Sequence, residues 1–388
     1  MLDDTKLLLC QLIAFPTVST DSNVALIEFL ADRLQSVGAR VDIHADASGE
    51  KANLFATLGP EVDGGIMLCG HSDVVPVTDQ DWTTDPFAMI ERDERLFGRG
   101  SCDMKGFIAA AVAMAPVFAE RVRDRPIHFA FTHDEETGCI GAQALAKVLR
   151  ARGVRPGVAI FGEPTSMRVI EGHKGCFEYS THFTGLEGHG SAPDRGVNAV
   201  EFAVRYVSRL LDLQERLKAR APARGRFVPP WTTINTGALV GGIAHNVIPG
   251  KARIDWEMRP VQDGDAEFVK TEMQHYCAQV LLPAMRAVSD SAEIVTDVIG
   301  EIDGLIPAEE NEARDILMAL TGATDAEVVA FGTEAGIFQK LGMAAVVCGP
   351  GSIEQAHKPD EYLSVEQLSA CLTMLEGLGD RLATTGAA

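Results

Sequence analysis

The stretch Gly65-Ile66-Met67-Leu68-Cys69-Gly70-His71-Ser72-Asp73 is an apolar run that ends abruptly in a histidine and an acid. A short run of this kind, without polar alternation, reads over 65–69 as a strand buried on both faces, as strands of parallel sheets are. The polar triplet then emerges at the strand's carboxyl end, the side on which open α/β sheets hold their ligands.

Working outward, the same grammar repeats on both sides. Strands are expected over 40–45 and 52–58 before it, then a helix over 104–118 with Phe107, Ala111, Met114 and Phe118 on one face, a buried strand over 127–132, a helix over 143–150 and a strand over 158–161. The N-terminal segment reads as an amphipathic helix with Leu8, Leu12 and Phe15 on one side. Asp3 and Asp4 stand where a secretory signal carries positive charge. Between 175 and 295 the texture changes to β-α-β-β-α-β, with a helix over 198–217, strands over 232–239 and 251–258, and a loop over 221–230 that Pro229-Pro230 keeps from becoming helical. The α/β texture returns with a strand over 344–348 and a closing helix over 365–382. At 388 residues the chain exceeds what one core usually serves. The expected organisation is therefore a discontinuous α/β domain, 1–174 and 296–388, interrupted by an inserted α+β domain over 175–295.

Composition narrows the function classes. A net charge of −21 opposes binding to nucleic-acid phosphates and anionic bilayers, and no segment approaches the ~20 apolar residues of a membrane helix. The eight cysteines are scattered, without a CxxC pair, and read as reduced thiols; a cytoplasmic protein is the simplest expectation.

Polar clusters follow the expected strands one after another: His71-Ser72-Asp73, Asp134-Glu135-Glu136, Gly162-Glu163-Pro164-Thr165 and, slightly later, Gln355-Ala356-His357. Asp103 lies where a Gly-rich loop enters a helix; it occupies the place of the third glycine after Gly98-Arg99-Gly100, which removes the dinucleotide reading of that loop. Taken singly, each cluster is an ordinary polar turn. Together, two histidines and three carboxylates suit two borderline divalent ions such as Zn2+, with one carboxylate bridging and a position open for water. Asp73 is placed to accept the second imidazole N–H of His71. Of the neighbours Glu135 and Glu136, one reads as ligand and the other as base, without the sequence deciding which.

In order and wording these clusters resemble the aminoacylase and carboxypeptidase family of co-catalytic zinc metallopeptidases. The likeness runs nearly end to end, through Gly188-His189-Gly190-Ser191-Ala192-Pro193, Arg195-Gly196-Val197-Asn198-Ala199, Gly332-Thr333-Glu334-Ala335 and Gln355 to Tyr362. The resemblance implies a mixed-sheet, zinc-peptidase-like catalytic domain and a lid that makes a homodimer. It implies that His71, Asp103 and Glu163 hold one ion and Asp103, Glu136 and His357 the other, that Glu135 is the general base, and that Co2+ can replace Zn2+. It further implies that His189 serves the partner subunit's site and that Arg259 and Asn246 hold the carboxylate of an N-acyl amino acid. Glu334 is an acid placed to meet a cationic side chain. His133 departs from the small residue expected before the acid triplet, and Cys102 sets an oxidisable thiol beside Asp103. A sibling substrate, another N-acyl amino acid or a dipeptide, stays open. So does an inactive metal-binding scaffold, which the intact Glu135 opposes.

Overall fold

The computed structural model describes residues 1–383 and divides the chain into two units, Met1–Gly172 with Pro307–Val328 and Thr333–Ala388, and His173–Ile306 with Val329–Gly332. The return to the first unit falls at 306 rather than at 295, because the strand Glu293–Ile302 pairs with Cys176–Thr184 of the second unit.

The first unit is built on an eight-stranded mixed sheet. Its centre is four parallel strands in the order Ile127–Thr132, Ile66–His71, Val158–Pro164, Ala344–Gly349, with antiparallel strands on either side. Val158–Pro164 shows why these runs are apolar throughout. On one face, a Cβ added at Gly162 would lie 1.8 Å from the ring of Phe107, in the helix Lys105–Ala113. On the other, the neighbouring Phe161 packs its ring 5.6 Å from that of Phe338, in the helix Ala335–Gln339. Both faces are covered, so a polar residue on either would be buried. The chain leaves Ile66–His71 to lay Ile127–Thr132 on one side and returns to lay Val158–Pro164 on the other, which opens a crevice at the carboxyl ends of the strands.

Two helices differ from expectation. The helix expected over 104–118 is interrupted at Met114 into Lys105–Ala113 and Ala115–Arg121, because Pro116 has no N–H to continue the ladder. The first helix ends at Ile13, and Phe15 instead packs against Phe29, ring centroids 5.5 Å apart.

The second unit follows the opposite rule. Its four-stranded sheet runs in the order Thr233–Gly241, Lys251–Arg259, Cys176–Thr184, Glu293–Ile302, all antiparallel. Phe177, Tyr179 and Phe183 alternate with polar residues, and with Ile254, Trp256 and Met258 they pack under the helix Ala199–Ala219. One face is buried and one is wet, as alternation requires. No described helix is long and apolar enough to cross a membrane.

Far from the crevice, the fold holds His128 in a place that disfavours its charged form. It stacks on Phe55 at 5.2 Å, its Nδ1 lies 2.8 Å from Thr57 Oγ1, and a Cβ at Gly65 would stand 2.3 Å from its Nε2. Burial pushes its pKa down to about 4. Between pH 6.5 and 4 the unfolded chain therefore takes up the proton first, so stability is lost on acidification. In metal-stripped protein, His128→Gln should reduce that loss by up to about 3 kcal/mol, read as a flatter thermal midpoint against pH. Identical slopes in both proteins would show that His128 does not contribute.

Candidate metal centre

The loops at the carboxyl ends of the parallel strands converge on one carboxylate. Asp103, which precedes the helix Lys105–Ala113, has Oδ1 3.0 Å from His71 Nε2 and Oδ2 3.3 Å from His357 Nε2. Glu163 Oε1 lies 3.9 Å from the same His71 nitrogen, and Glu136 Oε1 lies 3.1 Å from the same His357 nitrogen. Two three-residue groups result, His71–Asp103–Glu163 and Asp103–Glu136–His357, the donor atoms of each within 4.8 Å of one another. Asp103 belongs to both.

The donor set fits divalent ions. His71 Nδ1–H donates to the backbone carbonyl of Asp73 at 2.9 Å, which in the neutral ring leaves the Nε2 lone pair facing Asp103 and Glu163. Burial, reinforced by the neighbouring acids, drives the Glu135 and Glu163 carboxyls well above their ordinary range and raises Glu136 as well. Burial also works against the charge of Asp103, but hydrogen bonds from His357 and His71 hold it below the usual range. Those same bonds to Asp103 and Glu136 push His357 up to about 10. The site thus recruits protons to offset crowded negative charge, the task that bound cations perform in such a cluster.

Asp73 does more than the sequence suggested, and by different atoms. Its carboxylate is 3.6 Å from His71 Nδ1, and the backbone carbonyl takes the hydrogen bond expected of it. The carboxylate instead accepts the backbone N–H of Glu135 at 3.1 Å, that of Glu136 at 3.3 Å and the hydroxyl of Ser19 at 2.7 Å. It thereby pins the turn whose first residue, Asp134, has φ +53°. Lys51 Nζ secures the same turn at 2.7 Å from Asp134 Oδ1 while donating to Ser19 O. The two glutamates then diverge. Glu136 reaches His357, and among the described residues Glu135 has only the Cys139 thiol, 3.6 Å away, as a side-chain hydrogen-bond partner. No sequence signal marked Ser19 or Lys51 for this work.

Glu334 is 1% exposed. One oxygen accepts from Thr132 Oγ1 at 2.7 Å, and the other is buried without a hydrogen-bond partner among the described residues. Burial pushes its pKa up to about 7.

In the second unit, His189 is exposed on a two-residue strand that pairs with Val247–Ile248, beside Asn246. Ser191 N–H donates to its Nδ1 at 3.3 Å, so the neutral ring carries its hydrogen on Nε2. Arg259 is not free: Nε and Nη2 both donate to Glu257 Oε2, at 3.0 and 2.6 Å. Glu257 also falls in a third cluster with Cys176 and Glu178, whose charge Arg259 already offsets. Cys102 is buried and directed at the carbonyl of Ser352.

The description Peptidase family M20/M25/M40 matches residues 67–380. The chain belongs to that family. As a member of M20/M25/M40 it is an amide-cleaving hydrolase, and its likeness to full-length relatives is close. It is 35% identical to the acetylornithine deacetylase of Photorhabdus laumondii subsp. laumondii, over 95% of both chains. It is 36% identical to that of Proteus mirabilis, over 92% of this chain and 90% of the relative. Among solved structures, a tripeptidase from Staphylococcus aureus superposes with a TM-score of 0.73 at 18% identity, covering 99% of each chain. A dinuclear metal binding peptidase of the M20 family from Bacillus subtilis superposes with a TM-score of 0.65 at 16% identity, covering 98% of each. At these identities the structural likenesses speak for the fold.

Proposed function

We propose that this protein hydrolyses the N-acetyl amide of N2-acetyl-L-ornithine to acetate and L-ornithine, a step of arginine biosynthesis in the cytoplasm. The observation that carries the reading is the carboxylate of Asp103 shared between His71 and His357, a two-ion arrangement in a chain about one-third identical to acetylornithine deacetylases.

His71, Asp103 and Glu163 would hold one divalent ion and Asp103, Glu136 and His357 the other, Zn2+ being the leading candidate and Co2+ a substitute. Such ions supply Lewis acidity toward the amide carbonyl and toward water. Glu135, the acid left outside both ligand groups, takes a proton from the attacking water and returns it to the leaving amine nitrogen. Burial raises its proton affinity, which suits a group that must hold a proton between accepting it and releasing it. Asp73 holds that carboxylate in place through the backbone. His189 presents an Nε2 hydrogen suited to a developing oxyanion in the partner subunit's site. Arg259 and Asn246 receive the substrate's α-carboxylate, which must displace Glu257 from the guanidinium. The unpartnered oxygen of Glu334 supports a role in recognising the cationic end of ornithine.

A homodimer through the second unit is part of this proposal. Val204 and Leu211 are 53% and 57% exposed on the helix Ala199–Ala219, and Val240 is 57% exposed on the neighbouring edge strand Thr233–Gly241. An open strand edge beside exposed apolar side chains suits a twofold pairing.

Three measurements test the reading. The first concerns the adjacent glutamates. Glu135→Gln keeps shape but accepts no proton, so turnover of an N-acetyl amino acid should fall about 10²- to 10⁴-fold or more with metal content intact. Glu136→Gln should lose metal and activity together. The reverse pattern would exchange the two roles, and no change in either quantity would dismiss the site.

The second concerns specificity. kcat/KM for N2-acetyl-L-ornithine should exceed that for N-succinyl-diaminopimelate or a dipeptide by roughly 10². A preference for the succinylated substrate would make the protein a desuccinylase of the same chemistry, and a preference for the dipeptide an exopeptidase.

The third is sedimentation, which should find a dimer. Charge substitution at Leu211 should yield monomers whose turnover is lost together with His189's contribution, so a fully active monomer would contradict the in-trans assignment.

A further inference from the structure

Glu361 takes no part in the chemistry proposed above, yet its carboxylate is 1% exposed and fully engaged. Oε1 accepts the backbone N–H groups of Cys102 at 2.8 Å and Asp103 at 3.0 Å. Oε2 accepts the N–H of Gly100 at 3.0 Å and Arg99 Nη1 at 2.7 Å. Three amides of one turn, those of Gly100, Cys102 and Asp103, and a guanidinium thus converge on one internal anion. They use the anion-binding capacity of such a turn to hold the turn itself. The chain delivers Glu361 to this position by pairing Tyr362 with Phe97 across two short strands, and Gly98 N–H donates to Glu361 O at 2.9 Å.

The same network reaches the second imidazole. Arg99, itself 1% exposed with its guanidinium 5.1 Å over Trp82, extends Nη2 to Gln80 Oε1 at 2.6 Å. Gln80 Nε2 donates to the backbone carbonyl of His357 at 2.9 Å. A continuous path therefore runs from the backbone of Asp103 through Glu361, Arg99 and Gln80 to the backbone of His357. These are the two residues whose side chains stand 3.3 Å apart in the Asp103–Glu136–His357 group.

We infer that Glu361 is a positioning residue that sets the Asp103–His357 half of the metal centre, with Arg99 and Gln80 as its arm to His357. The inference rests on the two-ion reading of that centre. Asp103 and His357 come from loops 254 positions apart in sequence, and each also has a partner elsewhere, Asp103 at His71 and His357 at Glu136. Side-chain contact across the site does not by itself fix the separation of their backbones, whereas the Glu361 network does. Partners behind the ligands commonly change metal affinity 10- to 100-fold.

The experiment is titration of metal-stripped protein with Co2+ alone, followed by visible absorbance and by metal analysis after dialysis. Wild type should bind two ions per chain; binding of one or none would refute the two-ion reading itself. With two bound in wild type, Glu361→Gln should weaken the looser ion by about 10- to 100-fold and leave roughly one ion after dialysis. Gln80→Ala cuts the arm to His357 at a half-buried position, together with the bond that Gln80 Oε1 accepts from Trp82 Nε1, and leaves Glu361 and its turn amides intact. It should weaken the looser ion in the same direction by a smaller factor, without moving the thermal midpoint of the metal-free protein, and it serves alone if Glu361→Gln does not fold. Two ions held with wild-type affinity in Gln80→Ala, or weakening that follows only a lowered metal-free midpoint, would overturn the inference.

Discussion

The structure of the first unit depends on one electrostatic constraint, the placement of Asp103 in a crowd of buried acids. Its two oxygens face two histidines delivered from opposite ends of the chain. Burial away from solvent, reinforced by repulsion among the acids, drives Glu135, Glu136 and Glu163 toward taking up protons and raises their pKa values. A cluster that is unfavourable when empty of cations and favourable when filled is how a fold makes a metal site without making it part of the core. The surrounding architecture answers to that constraint. Four parallel strands bring their carboxyl ends together, and the segments that follow them carry the candidate ligands.

Around the ligands lies a set of internal carboxylates whose work is mechanical. Asp73 accepts the backbone N–H of Glu135 and Glu136, and Glu361 accepts those of Gly100, Cys102 and Asp103. Both acids are buried, and each therefore needs several donors to remain charged. The donors they take are turn amides that no helix or sheet ladder would otherwise satisfy. One interaction thus solves two problems, the unpaired amides of a buried loop and the precise aim of the side chain that the loop carries.

Much of this was legible in the sequence for a definite reason. The central strands are buried on both faces, so their apolar runs are unbroken, and the residue type changes sharply where they end, as at His71 and Glu163. The second unit was read instead from the change of texture to β-α-β-β-α-β after 175; the alternation of Phe177, Tyr179 and Phe183 within its strand Cys176–Thr184 is the opposite pattern to the unbroken apolar runs. What escaped were features that depend on distance between remote segments. Ser19 and Lys51 lie in unremarkable polar stretches and acquire their work only when the chain folds against the turn of Asp134. Glu361 stood within a segment singled out for His357, but nothing in its type or spacing tells that it faces the loop before Asp103. The break at Met114 and the boundary at 306 were missed differently. In each, a regular pattern ran past a local event, the proline at 116 or the pairing of a final strand, that ended one element and began another.

Glu135 and Glu136 show most clearly where sequence reasoning stops and geometry continues. They are chemically identical neighbours, and no composition or periodicity can assign them different tasks. The turn can. Its first residue adopts a left-handed backbone, Asp73 fixes both following amides from one side, and the two side chains are forced apart. One meets a histidine that already contacts Asp103, the company that supports its proposed role as a ligand. The other is left with the weak donor of Cys139 and the repulsion of its neighbours, so its proton affinity is set by the site and not by a fixed partner. A carboxylate in that condition is free to exchange protons with whatever enters the crevice, and it is on this difference in surroundings, not in chemistry, that the proposed division into base and ligand rests.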